Sequence, residues 1–213
     1  DRLRSRGLGD VYKRQVTVCG VIGRDASIRT NKEGKTFLVF PLRVMIPDTD
    51  GKTMPIEVDV SKDTAGKEVS KYRNGSRIEV SGTMYLKHRG DKLYFNLFIN
   101  EIRTATADAK DTVKGELVFR GKVGQHIEEK RDKKDQPYTM FSAFSTEKVE
   151  DGFEYQWVRF FCFGKEREAW LQPGVRVDAK GEIALSAYNG KLNVSCKVEE
   201  LVQYVADSSN SNQ

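Results

Sequence analysis

The sequence predicts an all-β protein that builds one small barrel twice. Three observations predict it. First, the chain repeats itself: Val16–Val44 aligns without a gap on Leu117–Ser145 at a shift of 101 residues, and Gly75–Ile102 aligns on Gly174–Leu201 at a shift of 99. Gly23 falls on Gly124, Phe40 on Phe141, Arg77 on Arg176 and Gly82 on Gly181. A period near 100 residues is too long for a solenoid and suits a whole small domain. Second, apolar residues recur at every second position in Leu38, Phe40, Leu42, Val44 and in Leu93, Phe95, Leu97, Ile99, the mark of a strand with one face on a core. Third, the runs are separated by hairpin signals: Asp50-Gly51, Arg89-Gly90-Asp91 and Asn189-Gly190.

The first unit opens on Val16-Thr17-Val18-Cys19 leading to Gly20, and the second on Leu117-Val118-Phe119-Arg120 leading to Gly121. Turns at Asn31–Gly34 and Asp132–Asp135 join strands one and two. The second strand of the second unit alternates more weakly, with Thr139, Phe141, Ala143 and Ser145 on the inner face. Helices are expected over Thr64–Tyr72 and Lys165–Leu171, between the third and fourth strands, each followed by a glycine turn. Leu192, Val194, Cys196 and Val198 repeat the inner face of the last strand. Five strands with a short helix between the third and fourth is the order of the OB-fold, a five-stranded Greek-key barrel. The expected layout is two tandem OB-folds, over 16–103 and 113–205, joined by a linker at 104–112 and followed by a polar, disordered tail at 206–213. Residues 1–15 resemble translated library-adapter sequence and have no counterpart before the second unit, so they stand outside the expected fold. Trp170 is expected to plug the end of the second barrel.

Composition narrows the function classes. The 213 residues are 38% apolar and 31% charged, with no run approaching the ~20 apolar residues of a membrane helix. The net charge of +5 is unevenly placed. Residues 16–110 carry sixteen Lys and Arg against twelve acids, whereas 111–213 carry fifteen against seventeen. A grip on a polyanion therefore requires local placement and something besides Coulomb attraction. Cys19, Cys162 and Cys196 have no C-x-x-C spacing, which points to reduced thiols in a cytoplasmic protein rather than disulfides or zinc. The Walker A, G-x-S-x-G and H-E-x-x-H patterns are all missing, so neither catalysis nor a cofactor is expected.

The sharpest local feature is Trp157–Lys165. Alternation puts Val158, Phe160 and Cys162 on one face and Trp157, Arg159, Phe161 and Phe163 on the other. An aromatic stripe outside a small barrel calls for a partner. Nucleobases supply one, since every base has a π-face; the other domain or a second subunit supplies another.

These residues carry a resemblance. Gly121-Lys-Val-Gly124, Gln136–Glu147, Trp157-Val-Arg with Phe163-Gly-Lys165, and Pro173–Glu182 resemble the single-stranded DNA-binding proteins of bacteria and their phages over Leu117 to about Tyr204. The resemblance implies that Trp157 and Phe163 stack on DNA. It also implies sequence-independent binding to single-stranded DNA in replication, recombination or repair, in company with other proteins of those processes. Related proteins work with four OB-folds, which would make this chain a homodimer.

Beside that implication, Tyr188 on the last hairpin and Phe144 on the outer face of strand two are further stacking candidates. Arg159, Lys165, Lys122, Lys130, Arg131 and Lys133 are phosphate candidates. The first unit departs from the pattern, with Glu57 and Asp59 where the aromatics would stand. Its candidates lie elsewhere: Phe37, Tyr94 and Phe98 for stacking, and Arg43, Arg29, Lys32, Lys87, Arg89 and Lys92 for phosphate. Tyr94 and Phe98 read equally as a subunit interface. Two other functions stay open: an adaptor whose first barrel binds protein, and an RNA-binding OB-fold protein.

Overall fold

A computed structural model describes residues 11–64, 66–89, 92–149 and 151–205, with the side chains of 11–13, 87–89, 92–93 and 149 excepted. The expected tail at 206–213, the turn at Gly90-Asp91 and the side chains of Lys87, His88, Arg89 and Lys92 lie outside the described residues.

Eleven strands make up the described chain: β1 Val11–Ile22, β2 Ser27–Thr30, β3 Thr36–Pro47, β4 Thr53–Asp63, β5 Arg77–Arg89, β6 Lys92–Thr104, β7 Thr112–Arg131, β8 Pro137–Val149, β9 Gly152–Phe163, β10 Arg176–Tyr188 and β11 Lys191–Gln203. They divide between two compact units. One holds Arg14–Glu116 with Ile183–Asn193; the other holds residues 11–13, Leu117–Glu182 and residues 194–205.

In the first unit β1 pairs with β5 and β3, β5 with β6, and β3 with β4, all antiparallel. The β4–β6 pair is parallel and closes the ring. That order, with its single parallel pair, is a closed five-stranded barrel of OB type. The second unit repeats the connections: β7–β8 and β8–β9 antiparallel, β9–β11 parallel, and β10 beside both β11 and β7.

The period-2 pattern explains these strands. In β3, Leu38, Phe40, Leu42, Val44 and Ile46 are buried, and Arg43 and Met45 point outward. In β8 the weakly alternating set is buried as expected, Thr139 and Ser145 included. Phe119, Phe141 and Phe160 form the aromatic centre of the second unit, with ring centroids 5.0 and 5.2 Å apart. Burying each such ring contributes about 1.5–3 kcal/mol.

The repeat recurs as local chemistry. Asn31 Oδ1 accepts from the amides of Glu33 and Lys35, and Asp132 Oδ1 accepts from those of Lys134 and Gln136. The Gly75 amide donates to the Ile22 carbonyl and the Gly174 amide to the Val123 carbonyl, at 2.8 and 2.9 Å. A Cβ on Gly82 would sit 2.1 Å from the Phe98 carbonyl oxygen, and one on Gly181 2.1 Å from that of Lys197. Both glycines are required by the close approach of a neighbouring strand.

Three expectations change. The helix over Thr64–Tyr72 is a single 3₁₀ turn, Val69–Lys71, and Lys165–Leu171 forms turns without a helix. Segments of seven to nine residues are too short to hold a helix on propensity alone, without packing that supports it. Arg167 instead ties the second one down, donating to the Leu171 carbonyl and to Gln172 Oε1. At the barrel ends, Tyr72 stacks on Phe40 at 5.7 Å, while in the second unit Leu171 is buried and Trp170 only half-buried. Finally, β1 starts at Val11, before the expected first strand: Gln15 pairs with Thr83 and donates to its Oγ1 at 2.6 Å.

Candidate nucleic-acid interface on the second unit

Strand β9 lifts every odd-numbered side chain from Phe153 to Phe163 onto the outer face of the barrel. Phe153, Tyr155, Trp157 and Phe163 are 53, 54, 53 and 48% exposed, Arg159 is exposed and Phe161 half-buried. At about 3.3 Å per residue the stripe runs for roughly 33 Å. The inner residues Gln156, Val158 and Phe160 fill the core, so the strand cannot turn its aromatics inward without expelling them.

Register with the neighbouring strands arranges the face in rows. Trp157 stands across from Phe144, which stands across from Lys122. Arg159 stands across from Ser142 and beside Ser195. Phe161 continues through Met140 to Glu128 on one side and has Lys197 on the other. Phe163 continues through Tyr138 to Lys130. The rings touch along the way: Phe144 lies 4.9 Å from Trp157 and 5.4 Å from Tyr155, Tyr138 lies 5.4 Å from Phe163, and Phe161 stacks on Phe163 at 5.9 Å. The result is a pre-ordered aromatic surface interrupted by one guanidinium. Edge-on and offset contacts hold the rings while leaving faces open to solvent.

A glycine seats the central ring. A Cβ added to Gly124 would come within 3.1 Å of Trp157 Cζ3 and 3.1 Å of the Ser142 carbonyl. The β7–β8 register slips between Val123 and Ile127, and this irregularity brings Gly124 beneath the indole.

Charge gathers at one end. Lys130, Arg131, Tyr138, Lys165, Glu129 and Glu166 line a shallow cleft beside the Tyr138–Phe163 pair. Three cations at this end are already engaged. Lys130 Nζ is 2.7 Å from Glu128, Arg131 Nη2 is 3.4 Å from Glu166, and Arg167 Nη1 is 3.8 Å from Glu129. The Lys130 hydrogen bond holds the Glu128 carboxyl below its usual range and, reciprocally, raises the ammonium. Lys133 is exposed in the β7–β8 turn.

Thus Trp157, Phe161, Phe163, Phe144, Arg159, Lys122 and Lys130 share one face, with Arg131 and Lys165 at its end. Tyr188 is 59% exposed and lies in the 183–193 segment that groups with the first unit. Sequence reasoning missed Phe153, Tyr155, Tyr138 and Lys197. Counting back by twos from Trp157 would have reached the first two, and the alternation of Val194 and Cys196 places Lys197 outward.

The corresponding face of the first unit is ionic. Arg43 stands across from Glu57 where the second unit has Phe144 across from Trp157. Arg24 is 3.9 Å from Glu57, and Lys35 is 2.9 Å from Asp63 and lies over the Phe37 ring at 5.4 Å. Tyr94 and Phe98 are each 37% exposed on β6, where Phe98 is registered with Ser61. Arg29 and Lys32 are exposed in β2 and its turn.

Among the described residues no group of three or more His, Cys, Asp or Glu could hold a metal, and no helix is long and apolar enough to cross a membrane.

No family model and no curated protein matches the chain. Several solved structures align with the chain. The wild-type single-stranded DNA binding protein from Thermus aquaticus aligns at a TM-score of 0.49 and 12% identity, over 93% of this chain and 96% of that one. The Plasmodium falciparum SSB in complex with ssDNA aligns at 0.35 and 16%, over 49% of this chain and all of that one. The N-terminal domain of PriB from Thermoanaerobacter tencongensis aligns at 0.31 and 19%, over 44% and 97%.

Proposed function

We propose that this chain is a tandem OB-fold protein that binds single-stranded DNA with little sequence preference, on the outer face of β7, β8 and β9. The observation that carries the reading is the unbroken odd-numbered stripe Phe153–Phe163, five aromatic side chains and Arg159, kept outside a barrel whose core is already full. Stacking contributes about 1–3 kcal/mol per base whatever the base is, which accounts for binding by a unit with no excess of positive charge. Arg159, Lys122 and Lys197 flank the rings and suit phosphates. The protein then protects exposed strands in replication, recombination or repair, without catalysis. A homodimer would present four barrels.

Quenching of tryptophan fluorescence by oligo-dT tests the site. Trp157→Ala is expected to weaken binding by roughly 1–3 kcal/mol, and an unchanged affinity would remove the stripe from the interface. Matched RNA oligomers in competition decide between DNA and RNA.

The ionic face of the first unit favours a second reading, in which that unit docks protein. Replacing Tyr94 and Phe98 by Ala separates the two: lost assembly at unchanged DNA affinity supports the adaptor.

A further inference from the structure

The rows of the aromatic face contain one residue that a DNA-binding surface should not want. Glu128 stands in line with Met140 and Phe161, and two residues along β7 from Lys130. Its side chain is half exposed, so burial does not force it to be there. It holds Lys130 at 2.7 Å. Glu166 does the same to Arg131 at the end of the face, and Glu129 to Arg167. Three cations beside the stripe thus have a carboxylate in place before any phosphate arrives.

We propose that Glu128 and Glu166 set specificity, acting as built-in competitors for phosphate that reject duplex nucleic acid while leaving single strands to bind by stacking. The inference rests on the nucleic-acid reading above and deepens it. A duplex hides its base faces, so its contact with this surface is Coulombic. It also carries one negative charge per about 1.7 Å of axis in a rigid array. It must therefore displace Glu128 from Lys130 and Glu166 from Arg131 and still lie against both carboxylates. A single strand differs on each count. Its bases stack on Tyr155, Trp157 and Phe163, and its flexible backbone can route phosphates toward Lys122, Arg159 and Lys197, away from Glu128. The carboxylates cost the single strand little and the duplex much.

The test uses the full chain and three proteins: the parent, Glu128→Gln, and the double variant Glu128→Gln/Glu166→Gln. Both side chains are at least half exposed, so the variants keep the fold. Each is titrated with oligo-dT and with a blunt duplex of equal length across a KCl series. The parent should bind oligo-dT with a shallow salt dependence and the duplex weakly. In the double variant duplex affinity should rise roughly tenfold and oligo-dT affinity less than about threefold, with the logarithmic salt slope for duplex steepening by about one per carboxylate removed. Binding of oligo-dT by the parent with the duplex-to-single-strand ratio unchanged in both variants would overturn this proposal alone. Failure of the parent to bind oligo-dT would overturn the nucleic-acid reading and this proposal with it.

Discussion

The indole of Trp157 rests on Gly124, close enough that a methyl on the glycine would lie 3.1 Å from Cζ3. This contact orients the ring toward solvent at the centre of the aromatic stripe. Gly124→Ala forces the ring or the Ser142 carbonyl to give by a few tenths of an ångström. Displacing the indole from its rotamer costs about 0.5–1.5 kcal/mol. Oligo-dT affinity is expected to fall by that amount with little change in the urea midpoint, and titration beside equilibrium unfolding checks both.

The two units place different side chains on equivalent positions of the same face, which makes a graft informative. Arg43 and Glu57 are cross-strand partners in the first unit, as Phe144 and Trp157 are in the second. Arg43→Phe with Glu57→Trp removes an exposed charge pair worth little to stability. It supplies one stacking site of about 1–3 kcal/mol. Affinity for an oligo-dT long enough to reach both units should rise, and fluorescence from the new tryptophan should be quenched on binding.

Gly181 is crossed by β11 so tightly that a Cβ would lie 2.1 Å from the Lys197 carbonyl oxygen. Backbone cannot yield as a flexible side chain does. Gly181→Ala is expected to lower stability by roughly 1–3 kcal/mol in urea. The protein that remains folded should bind oligo-dT as the parent does.

Burial pushes the Cys162 thiol up to about 11 and the Cys196 thiol to about 12. An unfolded thiol titrates near ~8.5. Between these values the unfolded chain has released protons that the folded chain keeps, so stability falls as pH rises. Well below pH ~8.5 both states keep the proton and the thiols contribute no slope. Unfolding curves at pH 8 and 10 should show the decline, and Cys162→Ala should make it shallower. Iodoacetamide at pH 8 should leave both thiols unmodified until urea unfolds the protein.

Much of this was legible in the sequence. Strands β3, β4 and β9 announce themselves because one face is buried and the other wet, and period 2 survives in the residue order. Trp157 and Phe163 stood out for the same reason. Phe153 and Tyr155 belong to the same alternation, upstream of the Trp-x-Arg stretch that carries the resemblance. The expected helix over 165–171 does not form because Arg167 donates to the Leu171 carbonyl and to Gln172 and holds the segment in another arrangement. The early start of β1 was hidden by residues with no clean alternation.

The order of strands, their inner and outer faces and the doubling of the chain were set by period and repetition, which are local properties of the sequence. The neighbours of each exposed ring were decided only by tertiary structure, because register across β7, β8 and β9 depends on turns and on the slip near Gly124. That slip brought a glycine beneath Trp157 and left Glu128 in the row of Phe161. No spacing along the chain encodes either placement, since both arise from strands that meet through folding.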